Sequence, residues 1–162
     1  MSRAQFLADM MENSRQFTLW YMKKVPLERW KEVVNVDGVV LNHPYWTLGH
    51  LAWTDVFMLL KPLNSNYNSP SLVNQFGINT KPDSENELSI DDLKEMVNEI
   101  HQTKIELVKS LSDEALDGPF PLTILKFAST YHALMHNIRH EGIHAGQISV
   151  FCKVKQIQTV KF

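Results

Sequence analysis

Only one cysteine, Cys152, occurs in the 162 residues. An internal disulfide framework is therefore excluded, and a reducing compartment is the expectation. No run approaches the ~18 uninterrupted apolar residues of a membrane span. The opening stretch, MSRAQFLADMMENSRQF, breaks its apolar positions with Arg3, Asp9, Glu12 and Arg15, so it lacks a signal-peptide core and a cytoplasmic location is expected. Neither charge is in large excess, with 16 Lys and Arg against 18 Asp and Glu. That balance lacks the electrostatic footprint of a nucleic-acid or anionic-membrane binder and leaves a small molecule or another protein as partner. A chain of this length suits one domain, residues 1–162, with a core that needs no metal to fold.

What is present is helical periodicity. Over 4–24, Phe6, Met10, Phe17, Trp20 and Tyr21 recur at three-, four- and seven-residue spacings, which predicts an amphipathic helix stopped by Pro26. The stretch 27–41 reads as a short strand pair around Asp37-Gly38 or an irregular loop, and is treated as a connection. A second helix is expected over 44–61, with Asn42 as N-cap, Pro44 in its first turn and Pro62 at its end. Residues 61–88 hold Pro62, Pro70 and Pro82 among many Asn and Ser. A connection that long lets the second and third helices lie parallel. The third helix opens at Ser89, whose S-x-x-D pattern with Asp92 is an acidic capping box. Its repeat, Ile90, Leu93, Val97, Ile100, Leu107 and Leu111, is broken by Lys104. A last helix is expected over 129–153. Four helices with one long crossover predict an all-α four-helix bundle.

The last helix contains RHEGIHAGQI, in which His140, Glu141 and His144 spell H-E-x-x-H. Two histidines four apart differ by only about 40° in rotation on a helix, so both can reach one ion. In a zinc protease the Glu is general base and a third ligand follows downstream. Here the following AGQISVFCKVKQIQTVKF holds no Asp, Glu or His, so a third ligand is expected from upstream. His132, His136, His140 and His144 form a ladder in steps of four, whose outer members lie about 120° and about 18 Å apart. One ion therefore selects an adjacent pair, with His140 common to two of the three choices. Upstream, His50 sits in the apolar segment HPYWTLGHLAWTD. His43 reads as a loop residue, and His101 and His132 as helix-surface residues.

The blocks TLGHLAWTD and MHNIRHEGIHAGQI resemble those of the DinB-like (YfiT-related) superfamily. Its members carry a histidine mid-helix two and an H-x-x-x-H followed by G-Q-I on the last helix. The resemblance covers most of the chain in helix layout. It implies His50, His140 and His144 as the metal triad, helices running up-down-down-up, and a homodimer. His136 falls where many members have a histidine outside the triad. The superfamily includes thiol-dependent transferases and isomerases, proteins labelled hydrolases, and members without an assigned activity, so a metal site is implied more strongly than one reaction.

Three neutral imidazoles leave Zn²⁺ or Ni²⁺ an open position, for water in hydrolysis or for a substrate thiolate. The expected function is thus a metal-dependent hydrolase or thiol-dependent transferase acting on a small molecule. The alternative is a bundle that binds metal or ligand without turnover, and a zinc metalloprotease is a more distant one. Glu141 and Gln147 are candidates to assist the chemistry. Glu141 is rotated about 100° from His140, which also fits a supporting or surface role, and Gln147 fits a helix–helix hydrogen bond. Trp46, Trp53 and Phe57 could wall a pocket, Thr54 and Asp55 could accept an imidazole N–H, and Gly146 could let another backbone approach closely.

Overall fold

Helix α1 spans Arg3–Met22, with the Ser2 hydroxyl accepting from the Gln5 N–H at 3.1 Å. The computed structural model describes residues 1–82 and 88–159. The face that α1 buries is Ala4, Leu7, Ala8, Met11, Arg15, Thr18 and Met22. The expected face is turned outward, with Phe6 49%, Met10 40%, Phe17 52% and Trp20 38% exposed. Both stripes keep a three-four spacing. The inward one has small residues that allow close helix approach, together with an arginine that finds buried acid partners.

The stretch treated as a connection contains a 3₁₀ turn, Leu27–Arg29, followed by a hairpin. Strands β1 (Val34–Val36) and β2 (Val39–Leu41) pair antiparallel, with Val34 opposite Leu41. Asp37 and Gly38 both have positive φ, 50° and 88°, as a two-residue turn matched to strand twist requires.

Helix α2, Pro44–Asp55, is capped by His43 rather than Asn42: the His43 Nδ1 accepts from the Trp46 N–H at 3.1 Å. His43, read as a loop residue, is the buried N-cap of this helix. The helix runs on through a π-helical turn, Val56–Leu60, into a short α3, Lys61–Leu63, so Pro62 lies inside the final turn. The connection 61–88 contains a 3₁₀ helix, Ser71–Phe76.

Helix α4, Ile90–Lys109, is capped by Ser89 through the Asp92 N–H at 3.0 Å. His101 and Lys104 lie on its buried face, not on its surface. After a short α5, Asp113–Asp117, and a 3₁₀ turn, Thr123–Leu125, the long α6 spans Thr130–Val154.

The fold is predominantly helical, with α1 packed on α4 and α6, and α2 packed on the same two. Two apolar clusters form the core. One includes Met22, Trp30, Leu48, Val97, Ile148 and Phe151, and the other Leu7, Met11, Leu59, Val108 and Leu134. Along α1, α4 and α6 the residues between these clusters are polar: Arg15, Lys104, Asn137 and Glu141, joined by Asp55 of α2. Arg15 donates to Glu141 at 2.8 and 3.0 Å and to Asp55 at 3.1 Å. Lys104 and Asn137 donate to the other Asp55 oxygen at 2.9 and 3.0 Å. This pairing admits two cations and two carboxylates to the interior, because breaking such a set would strand a buried charge.

Candidate metal centre

His50 stands in the middle of α2, and His140 and His144 one turn apart on α6. One nitrogen from each lies within 4.8 Å of the others. His140 Nε2 and His144 Nε2 are 3.2 Å apart. The His50 ring centre is 5.5 Å from that of His140 and 4.9 Å from that of His144. Of the ladder on α6, the pair 140/144 is therefore the one that faces α2. His136 lies 6.1 Å from His140 between ring centres, outside the cluster, and His132 is exposed beside the Ser129 hydroxyl.

Two of the three rings are oriented from behind. His50 Nδ1 lies 2.7 Å from the Phe76 carbonyl, which can only accept, so Nδ1 carries the proton and Nε2 the lone pair. His144 Nδ1 lies 2.9 Å from Gln147 Oε1, and the same oxygen accepts from Asn42 Nδ2 at 3.2 Å. Oxygen partners on the remote nitrogen are the usual support of a metal-binding histidine. With Nδ1 of His144 protonated, its Nε2 lone pair points at His140 Nε2. Facing nitrogens need a proton or a cation between them, and the tetrahedral edge of a zinc site with ~2.0–2.1 Å bonds is about 3.3 Å. His140 Nδ1 is buried without a hydrogen-bond partner among the described residues. The donor set fits one divalent ion of the zinc or nickel type.

Electrostatics keep these rings in the form that ligates. Burial lowers His50, partly offset by the Phe76 carbonyl. Burial and then the neighbouring histidines bring His140 and His144 down to about 4. All three are neutral at neutral pH, and neutral imidazole is the metal-binding state.

The family follows from one further comparison: a family model, the DinB superfamily, matches residues 10–148, which include all three histidines. The chain belongs to the DinB superfamily. No curated protein and no solved structure matches it. In this DinB-superfamily protein an aromatic ladder runs along α2 beside the triad. Trp46 stacks on His50 at 4.6 Å, Trp53 lies 5.6 Å from His50, and Phe57 stacks on Trp53 at 4.8 Å. Residues 76–80 pack against it, with Gly77 beside the Trp53 ring and Thr80 accepting from the Trp46 indole at 2.9 Å.

Several side chains of the DinB-superfamily chain sit elsewhere than expected. Asp55 accepts no imidazole N–H; it is taken up by Arg15, Lys104 and Asn137, and the Thr54 hydroxyl donates to the His50 carbonyl. Glu141 is 3% exposed and held by Arg15 through both oxygens. Burial alone would raise Asp55 and Glu141, but Lys104 and Arg15 hold Asp55, and chiefly Arg15 holds Glu141, below the ordinary carboxylate range. A Cβ on Gly146 would meet nothing within 4 Å, so no close approach explains that glycine. The close approach is at Gly49, where a Cβ would lie 2.3 Å from the Phe76 ring. Sequence reasoning missed Arg15, Asn42, Phe76 and Asn137. Only Gly49, mid-helix and next to a candidate ligand, signalled that another segment packs there.

Proposed function

We propose that this protein is a metal-dependent enzyme, a hydrolase or a thiol-dependent transferase, acting on a small molecule at His50, His140 and His144. The observation that carries the reading is the convergence of three neutral imidazoles, two of them aligned by oxygen acceptors on their remote nitrogens. A Zn²⁺ or Ni²⁺ ion held there supplies Lewis-acid activation of water or of a thiol. The chain's own contribution is orientation and desolvation: Phe76 fixes His50, Gln147 fixes His144, and Trp46 and Trp53 wall the His50 side. Gln147, in contact with His144, is the polar side chain we assign to assist the chemistry. Glu141, committed to Arg15, is not free to act as the general base a metalloprotease needs. The same commitment favours, as second reading, a bundle that binds metal or ligand without turnover.

The proposed architecture is a four-helix up-down-down-up bundle. Leu7 clusters with Leu134 and Met22 with Ile148, which aligns α1 with α6; Leu48 clusters with Val97 and Leu59 with Val108, which aligns α2 with α4. A cytoplasmic homodimer completes the reading. Its supporting surface is the outward stripe of α1 together with the exposed Ile143 and Val150 of α6.

The deciding experiment loads the protein with Zn²⁺ or Ni²⁺ and screens ester, amide and thiol-acceptor substrates before and after chelation. Turnover should vanish with the metal and return with it. His50→Ala should lose metal affinity steeply, since it removes one of three ligands. Unchanged affinity in that variant would refute the triad, and metal binding without turnover would leave the non-catalytic reading. Dimerisation is checked by sedimentation, where Phe17→Ser/Trp20→Ser should give monomers.

A further inference from the structure

The side chain that supports His144 is itself held by a third residue. Gln147 Oε1 lies 2.9 Å from His144 Nδ1 and also accepts from Asn42 Nδ2 at 3.2 Å. Asn42 stands between Leu41, the last residue of β2, and His43, the N-cap of α2. Both neighbours are anchored: Leu41 pairs with Val34 in the hairpin, and the His43 ring caps the Trp46 N–H. The contact therefore ties the start of α2, which carries His50, to α6, which carries His140 and His144.

Gln147 and His144 by themselves do not decide which imidazole nitrogen is protonated. An amide has an oxygen that accepts and an NH₂ that donates, and a neutral imidazole has one nitrogen of each kind. With its oxygen toward the ring, Gln147 takes the Nδ1 proton and leaves the Nε2 lone pair for a metal. With its NH₂ toward the ring, it donates to a bare Nδ1, and the proton then sits on Nε2 and blocks ligation. Either sense keeps one hydrogen bond, so the pair alone is close to a tie. A second donor on the same oxygen breaks the tie, because turning Gln147 alone would set its NH₂ against that of Asn42. Both bonds survive a reversal only if residue 42 presents an acceptor instead. At a contact as exposed as this one the bias is that of a single net hydrogen bond, about fivefold between the two forms.

We propose that Asn42 is a positioning residue of the metal centre, which through Gln147 keeps the His144 proton on Nδ1 and the Nε2 lone pair turned to the metal. This role rests on the triad reading, and it involves the place of a proton at constant charge. The far end of the chain of hydrogen bonds runs in the same direction. His144 Nε2 lies 3.2 Å from His140 Nε2, so in metal-free protein the proton between them belongs to His140.

The test is Asn42→Asp, which keeps the side-chain shape and removes its donors. The carboxylate only accepts, and it draws the Gln147 NH₂ to where the oxygen was by a charge-assisted bond stronger than the original. A negative charge just before the N-cap also suits the positive end of α2, so helicity should stay unchanged. In ¹⁵N spectra of the metal-free chain at pH 7, protonated and bare ring nitrogens resonate far apart. The wild type should show the His144 proton on Nδ1 and the His140 proton on Nε2, and in Asn42→Asp both should change places. Asn42→Ala should show a mixture of the two forms, which collapses to the wild-type form when Gln147→Glu makes the neighbouring side chain an acceptor only. Zinc affinity of Asn42→Asp, by competition with a chelator, should fall about tenfold, as the ligating form drops to roughly a tenth of the molecules. Charge alone predicts the opposite sign, since a carboxylate near a cation tightens binding. A His144 proton on Nε2 in the wild type, unmoved protons in Asn42→Asp, or zinc affinity in that variant equal to or above wild type would overturn the proposal. A wild type that takes no zinc would instead refute the triad, and the metal-free spectra would still decide the role of Asn42.

Discussion

Replacing Gly49 by alanine should damage both the fold and the metal centre. A Cβ at that position falls 2.3, 2.4 and 2.6 Å from Cδ1, Cγ and Cδ2 of Phe76, whereas carbon atoms pack at about 3.5–4.0 Å. The ring must retreat by about 1 Å, yet it is fully buried and lies 5.6 Å from the Tyr45 ring. Overpacking of this kind costs about 1–3 kcal/mol, and the short contact puts the cost near the upper end. Alanine returns about 1 kcal/mol in helix propensity, leaving a net loss of about 2 kcal/mol. Gly146→Ala supplies the control, because its Cβ meets nothing and it should gain about 1 kcal/mol from the same propensity term. Moving Phe76 also moves the carbonyl that holds His50 Nδ1, and loss of such support weakens metal binding by about 10–100-fold. Urea unfolding of both variants and zinc competition against a chelator measure the two effects. A Gly49→Ala protein as stable as Gly146→Ala, with wild-type zinc affinity, would refute the close packing of the 71–76 segment on α2.

Glu141→Gln should leave zinc content intact but reduce unfolding free energy by about 3 kcal/mol, the low end for breaking a buried ion pair because Asp55 still pairs Arg15; chemical denaturation reads this directly. In metal-free protein, the depressed values of His101, His140 and His144 mean that the unfolded chain takes up protons first as pH falls. Stability is thus full above about pH 6.5 and declines toward pH 4, and Asp55 and Glu141, also depressed, extend the loss below that. Urea midpoints across pH 8 to 4 check the window, and His101→Gln should make the decline shallower throughout it. Zinc affinity should follow the folded-state values, weakening mainly as pH approaches 4 rather than near the free-histidine 6.5.

Spacing on the last helix left three adjacent histidine pairs open, and it was the family resemblance that singled out 140/144 together with His50, whereas Ser89 capped its helix as its side-chain chemistry demands. The inward face of α1 was not legible. Two stripes share one period, and the more aromatic one faces out, since the choice turns on Arg15 meeting Glu141 and Asp55, far away in sequence. His101 looked like a surface residue and Lys104 like a break in the apolar repeat for the same reason: their partners, Glu12 and Asp55, are on other helices. The support of His50 comes from a backbone carbonyl, and every residue type carries one of those.

The π turn at Val56–Leu60 makes α2 a rod with two phases. In an unbroken α-helix the nine steps from His50 to Leu59 amount to about 900°, which would put them on opposite sides. Both are buried, His50 at 6% and Leu59 at 0% exposure. The wider turn takes up extra chain, so the angular setting of the histidine is uncoupled from that of the apolar segment that follows. Metal geometry and core packing can then drift independently in sequence, each half of the rod answering to its own neighbours, whereas loss of a single residue within the turn would force both halves back onto one clock.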